Sequence, residues 1–438
     1  MKKLLSLILV LAVASVTFGA AFANTTVPGG PFASSIQIQN LGTSQANVSI
    51  QYVDKTGAVA LTTSHTIAAS DVLSVYVPAQ SALASGEYSV VVSADQPVAA
   101  VSNFSDADSG AAYSGASAGA LSWGFPAVYD NYYGYYSEIY AQNVSAAAQN
   151  ITLEVYAPGN ATAVYTNTKN SVPVNASVNW GLKDLAQLNN NVSYSAVVKA
   201  NGVIVAIGNT YGSSGSAAQL YSYNGFSSGA KTFYVPALYK SYYGWNAALS
   251  IQNVAASAAS VTVTYSGGAV ANYTIQPNSS VAIYIPSEAS LPAGLMSAVV
   301  TSDQNVAVSV NISNNANRAA TYNGIAEATT KVFAPNVMKR YYKYSSSVTC
   351  QNLGTAATTM TIKYAAAPSA NETSGSIAPG ASWEVYLPSK TAVPNGYNAG
   401  ATIEATQPIA CIINSNMDEA PENTQSMDQL FSYNGVNQ

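Results

Sequence analysis

The sequence predicts an all-β protein built from four tandem β-sandwich repeats. Three observations carry this. A set of landmarks recurs at intervals of about a hundred residues, which is the mark of a repeat architecture. Between the landmarks, apolar and polar residues alternate with period two, bounded by turn signals. Beyond the N-terminal stretch no segment has a helical period.

The first landmark is a Gln-Asn pair behind an aromatic tract. Phe233-Tyr234-Val235-Pro236 leads through Tyr242-Tyr243-Gly244-Trp245 to Gln252-Asn253. Phe125-Pro126 leads through Tyr132-Tyr133-Gly134-Tyr135-Tyr136 to Gln142-Asn143, and Phe333-Ala334-Pro335 through Tyr341-Tyr342-Lys343-Tyr344 to Gln351-Asn352. In all three the proline precedes the asparagine by 17 residues. A fourth pair, Gln39-Asn40, has a shortened lead-in, with Pro28 only 12 residues ahead. The second landmark is a strand that ends at Asn103, Asn209, Asn311 and Asn414. The third is Tyr113-Ser114-Gly115, Tyr223-Asn224-Gly225, Tyr322-Asn323-Gly324 and Tyr433-Asn434-Gly435. From that glycine to the next repeat's proline is 11 residues at all three junctions, which implies packed junctions of one kind rather than loose linkers.

Within a repeat, Val261, Val263 and Tyr265 alternate with Thr262 and Thr264, and Val281, Ile283 and Ile285 with Ala282 and Tyr284. Such runs are strands with one buried face. Gly267-Gly268, Pro277-Asn278 and Pro292-Ala293-Gly294 separate them as turns. The repeats read as 24–117 (with a short first strand), 118–227, 228–326 and 327–438. The Gln-Asn asparagines are expected to cap the turn after the second strand through side-chain bonds to the backbone.

Composition bounds the function. Of 438 residues, 48% are hydrophobic and only 8% are charged, against roughly 25% charged in ordinary domains. The net charge of −5 argues against a nucleic-acid partner. The polar surface must come from Ser, Thr, Asn, Gln and 31 tyrosines, and low charge favours association. Lys2 and Lys3, the apolar stretch from Leu4 to Ala20 and Ala21-Phe22-Ala23 read as a signal peptide over 1–23, with the mature chain starting at Asn24. No later run is long and apolar enough for a transmembrane anchor.

The two cysteines fall on matched positions. Cys350 stands where the other repeats have Ile38, Ala141 and Ile251, and Cys411 where they have Ala100, Ala206 and Val308. All are apolar, so both positions face a core. With module length and strand pattern, this makes the chain resemble secreted bacterial proteins of tandem immunoglobulin-like sandwich modules, as in surface layers, sheaths and adhesins. The resemblance spans 24–438. It implies four immunoglobulin-like β-sandwich domains and a disulfide between Cys350 and Cys411 on facing second and sixth strands. The alternative is two buried free thiols. It also implies an extracellular or cell-surface structural or adhesive role.

Enzyme chemistry finds no support in the residues. His65 is the one imidazole, carboxylates are sparse and unmatched between repeats, and no nucleophile elbow, phosphate loop or zinc spacing occurs. No cofactor is implied. Asp106 and Asp108 resemble part of a calcium loop without the rest of the pattern. The tyrosine tracts supply the remaining sites: Tyr132, Tyr133, Tyr135 and Tyr136; Tyr242, Tyr243 and Trp245; Tyr341, Tyr342 and Tyr344. They serve either self-assembly and module junctions or stacking on sugar rings. The first expectation is thus a secreted, non-enzymatic rod that assembles with itself into a layer, sheath or filament. The alternative is an adhesin that binds surface polysaccharide. Head-to-tail contact is expected between the basic, aromatic tract of the fourth repeat and the acidic loop of the first.

Overall fold

The structure is a computed structural model that describes residues 6–10, 31–106, 109–212, 219–314, 318–417 and 428–437. It is all-β apart from four short 3-10 turns among those residues. No helix among them is long and apolar enough to cross a membrane. Apart from Ser6–Val10, the leader expected over 1–23 lies outside the described residues.

The third repeat shows the plan. Ala259–Tyr265 buries every second residue, and Val261 and Val263 are almost fully enclosed. The long strand Gly294–Asn314 belongs to two sheets. Its first half pairs with the first strand, Ala230–Lys240, on one side and with Ala259–Tyr265 on the other. Its second half pairs with Trp245–Asn253 and with the last strand, Ala319–Asn323. Val270–Ile275 and Ser280–Tyr284 complete the two sheets. Phe233, Val235, Leu249, Ile251, Ile283, Val300 and Val308 fill the space between them. The second and fourth repeats follow the same plan around Ser193–Gly212 and Tyr397–Met417. In the first repeat the long strand is divided into Tyr88–Ala94 and Val98–Ser105.

The Gln-Asn asparagines cap backbone, as their placement after a strand suggests. Each is fully buried. Asn253 Nδ2 donates to the Ser257 and Ile275 carbonyls at 2.7 and 2.9 Å, and its Oδ1 accepts the Ala255 amide. Asn40, Asn143 and Asn352 repeat the pattern. Two of the preceding glutamines cross junctions. Gln252 Nε2 reaches the Ala196 carbonyl of the second repeat, and Gln351 Nε2 the matching Ala298 carbonyl of the third.

Cys350 and Cys411 are bonded, but not across a core. They sit opposite each other on hydrogen-bonded neighbouring strands, Tyr344–Asn352 and Tyr397–Met417, with Cα atoms 4.1 Å apart. In an immunoglobulin sandwich the strands at these two places belong to opposite sheets. Here the long strand crosses from one sheet to the other and brings its second half beside the second strand. The crosslink spans a sequence separation of 61, which the chain-entropy account values at about 4 kcal/mol. Reduction, or Cys411→Ser, should therefore lower the melting temperature. Alkylation of the native, unreduced protein should add no mass, and two alkylated thiols would contradict the bond.

The repeats do not form a rod. Their last strands, Ser109–Ser114, Gln219–Asn224, Ala319–Asn323 and Asp428–Asn434, gather around one axis, each touching the next. Asp428–Asn434 runs parallel to Ser109–Ser114, pairing Asp428 with Ser109 and Gln429 with Gly110. The fourth repeat thus closes onto the first. Asn224 Nδ2 donates to the Ser114 carbonyl at 2.7 Å, Asn323 Nδ2 to Asn224 at 2.9 Å, and Asn434 Nδ2 to Asn323. This is the role of the Tyr-Asn-Gly landmark: its asparagine ties each repeat to the one before.

Ring closure corrects the head-to-tail expectation, because the two ends it invoked meet inside one chain. Gln429 Nε2 donates to the Asp106 carbonyl at 3.1 Å, and Tyr344 packs on Phe431, with ring centroids 5.2 Å apart, and donates to Gln429 Oε1. Lys339 is buried and spends its ammonium on the Val393 and Lys390 carbonyls, so that part of the basic charge never reaches the surface.

Candidate functional site

Each tyrosine tract is a tight hairpin between the first and second strands of its repeat. Backbone bridges join Tyr132 to Tyr135, Tyr242 to Trp245 and Tyr341 to Tyr344. The two residues between have positive φ, as the hairpin turn that matches strand twist requires: 51° and 89° at Tyr133 and Gly134, 49° and 84° at Tyr243 and Gly244, 45° and 71° at Tyr342 and Lys343. Glycine fits this conformation and a lysine is strained in it. Lys343→Gly should raise stability by roughly 0.5–1 kcal/mol, read as a small upward shift of the urea midpoint at unchanged slope. A lower midpoint would show that Lys343 is held by its contacts rather than strained.

The tips project. Tyr133 is 70% exposed, Tyr243 87% and Tyr342 78%. Each rests edge-on against the tyrosine before it, with ring centroids 4.8–4.9 Å apart. Tyr132 and Tyr242 are stacked in turn on Tyr129 and Tyr239. The flanking members of the second repeat's tract pack within that repeat. Tyr135 packs on Tyr221, and Tyr136 stacks on Tyr211 beneath the Lys183 ammonium. Within each tract the flanks pack and the tip is exposed.

One hairpin lines a cleft. Between the third and fourth repeats, Tyr242, Tyr243 and Trp245 face Glu384, Tyr386 and Asn416 across a cavity of about 580 Å³. Tyr242 donates its hydroxyl to Glu384 Oε2 at 3.0 Å. Burial pushes the Glu384 carboxyl above its ordinary range, against the pull of that hydrogen bond. Burial, then the nearby carboxylate, pushes the Tyr242 phenol up to about 12. The cleft offers aromatic faces, a carboxyl and amides, and among the described residues no group of three metal-ligating side chains exists.

Tyr386 was not singled out in the sequence, although a signal for it exists. Tyr76, Tyr284 and Tyr386 each stand two residues before a proline, in Tyr76-Val77-Pro78, Tyr284-Ile285-Pro286 and Tyr386-Leu387-Pro388, and all three are exposed. Asp106, half of the calcium candidate, makes local hydrogen bonds. Its Oδ1 accepts the Ser109 amide at 2.7 Å and the Ser109 hydroxyl, closing a local turn. Asp108 lies outside the described residues. His65 lies on the outer strand Val59–Ile67, 3.0 Å from the Thr63 hydroxyl.

A second opening, about 490 Å³, lies on the axis where Ser114, Asn224, Asn323 and Asn434 converge. Its polar wall is occupied by the inter-repeat bonds already described, so it reads as a seam of the ring.

No known protein family matches the chain, and no curated protein is similar to it. Among solved structures it is similar to Thermotoga maritima 1070, at 20% identity and a TM-score of 0.21 over 23% of this chain and 96% of that one. It is similar to the serine-rich repeat protein Srr2 of Streptococcus agalactiae, at 11% identity and a TM-score of 0.12, over 53% of this chain and 84% of that one. It is similar to dimeric latent PorU of Porphyromonas gingivalis, at 9% identity and a TM-score of 0.10, over 73% and 34%. Scores this low carry no argument about fold or function.

Proposed function

We propose that the chain is a secreted, non-enzymatic cell-surface protein whose four sandwich modules carry a carbohydrate-binding site. The aromatic cleft between the third and fourth repeats is the observation that supports this. Sugar rings present apolar C–H faces that stack on aromatic side chains, with hydroxyls that need fixed polar partners. Tyr243, Trp245 and Tyr386 supply the faces, and Glu384 and Asn416 the partners. The disulfide fits an oxidising compartment, as secretion would provide. Binding to a panel of surface polysaccharides, followed by calorimetry on the best, tests the reading. Trp245→Ala and Tyr243→Ala should each weaken binding roughly tenfold, as expected when 1–1.5 kcal/mol of stacking is lost. If the double variant binds as well as the parent, or no polysaccharide binds, the cleft is not a sugar site.

A second reading, assembly into a surface layer, draws support from a different feature. Among the described residues, the edge strand Tyr88–Ala94 of the first repeat pairs with Ser6–Val10 of the leader, where the other three repeats use a first strand of their own. Electron microscopy of the secreted protein would show particles or an ordered array.

A further inference from the structure

In three repeats the first strand does two jobs. It completes its own sheet, and it reaches the neighbouring repeat. Phe125, Val235 and Ala334 stand opposite Ala196, Ala298 and Ala401 of the long strands. Four residues past Phe125, the Tyr129 hydroxyl accepts Asn311 Nδ2 of the third repeat at 2.9 Å. Four residues past Val235, the Tyr239 hydroxyl lies 3.3 Å from Asn414 Nδ2 of the fourth. From the fourth repeat, Asn336 Oδ1 lies 3.3 Å from Asn103 Nδ2 of the first. The second landmark is explained: three of these asparagines take a partner from the first strand of another repeat.

The fourth does not. Asn209 is 1% exposed, and neither its Nδ2 nor its Oδ1 has a partner among the described residues. Ser222, on the strand beside it, has a buried hydroxyl that also lacks one, whereas Thr321 and Ser432 at the matching places donate to Asn311 and Asn414. A buried unpaired amide is a costly thing to keep. The strand that should reach Asn209 is the first strand of the first repeat. Its edge, Tyr88–Ala94, is instead covered by Ser6–Val10, with Val10 opposite Val90 and Ile8 opposite Val92. That is the register of Phe125 and Trp123 opposite Ala196 and Val198 in the second repeat. Hydrolysis of the Ala23–Asn24 bond by a signal peptidase would remove this covering strand from an uncharged, valine-rich edge.

We propose that the first repeat of the secreted protein is an incomplete sandwich that takes its first strand in trans. The slot runs along Tyr88–Ala94 to Asn209. Its occupant is a partner chain's uncharged, alternating apolar strand, antiparallel to Tyr88–Ala94, with a tyrosine four residues past the one opposite Val90. Strand addition of this kind draws affinity from the backbone ladder and specificity from the side chains set into the groove. The leader strand holds the place until cleavage. This rests on the assembly reading, and on cleavage after Ala23.

The test uses the secreted protein and a fluorescent peptide copying residues 120–129, with a second peptide carrying phenylalanine in place of the terminal tyrosine. The protein should begin at Asn24 by intact mass and bind the first peptide, and the second roughly 3- to 10-fold less tightly. Asn209→Leu should raise the melting temperature of the unbound protein, because it removes an unpaired amide, and should abolish the difference between the peptides. A merely structural asparagine would lose stability on that change. Retention of residues 6–10 in the secreted protein, failure of either peptide to bind, or an Asn209→Leu protein that still prefers tyrosine would each overturn the proposal. Peptide binding by a protein that forms no array would sink the assembly reading and leave the slot standing.

Discussion

Asp428→Ala should open the ring at a loss of roughly 2–6 kcal/mol. Asp428 is fully buried at the point where the fourth repeat closes on the first. Its Oδ2 accepts the Leu220 amide of the second repeat at 2.7 Å, and its Oδ1 the Ala319 amide of the third at 2.8 Å. One carboxyl group, which burial pushes well above the usual carboxylate range, thus binds two other repeats while its own strand pairs with the remaining one. Alanine leaves two amides buried without an acceptor, each a loss of roughly 1–3 kcal/mol. Asparagine keeps one acceptor and turns an N–H₂ toward the other amide, so its loss should be intermediate. Urea denaturation followed by circular dichroism reads the order parent, Asn, Ala. Parent-like stability of the alanine variant would mean that the closure is held elsewhere.

Raising the pH past 10 should unfold the protein cooperatively. Burial pushes the phenols of Tyr52 and Tyr397 up to about 12. Burial drives those of Tyr223, Tyr322 and Tyr433 higher still. The last three donate to the carbonyls of Ala127, Ala237 and Asn336, tying the last strand of a repeat to its first. The sign follows from linkage. A phenol whose pKa is raised on folding contributes stability that is fully present below about pH 10 and is lost as pH rises toward the folded value. A group raised by two pH units loses about 2.3 kcal/mol by pH 12, so a few of them exceed the lower end of an ordinary folding stability of 5–15 kcal/mol. Phenolate absorbance and circular dichroism should change together in one steep step. Gradual ionisation with the sheet signal intact would refute it. Tyr322→Phe should move the step to higher pH if its lost hydrogen bond leaves the ring otherwise in place.

What the sequence made legible was local. Alternation at Val261, Val263 and Tyr265 located a strand and its buried face, because burial in a sheet has the period of the backbone itself. The Gln-Asn capping followed from the residue type and its place after a strand. Cys350 and Cys411 were legible as core neighbours, but not as partners within one sheet. That depends on Tyr397–Met417 continuing through Gln407-Pro408, where turn residues suggest a break. Closure of the ring was not legible at all. Eleven residues between glycine and proline fix how far apart two repeats are along the chain, and a rod and a ring differ only in the rotation between them. The hairpins were read as a unit, yet their residues divide: Tyr243 points outward because the turn's positive φ lifts it off the sheet, while Tyr242 beside it is half-buried. Asn209 was visible as a landmark, and its missing partner only in three dimensions.

Closure also changes what a repeat is worth to the whole. An open array has two ends, and gaining or losing one unit alters its length without disturbing the rest. Here Ala410, Ile412 and Leu430 of the fourth repeat help fill the third repeat's core, and Val101 and Ala112 of the first help fill the fourth's. Deleting one repeat would expose two apolar faces that no longer meet, and inserting one would leave a circle that cannot shut. Duplication and deletion, the ordinary way in which tandem genes drift in copy number, are thereby penalised in the product.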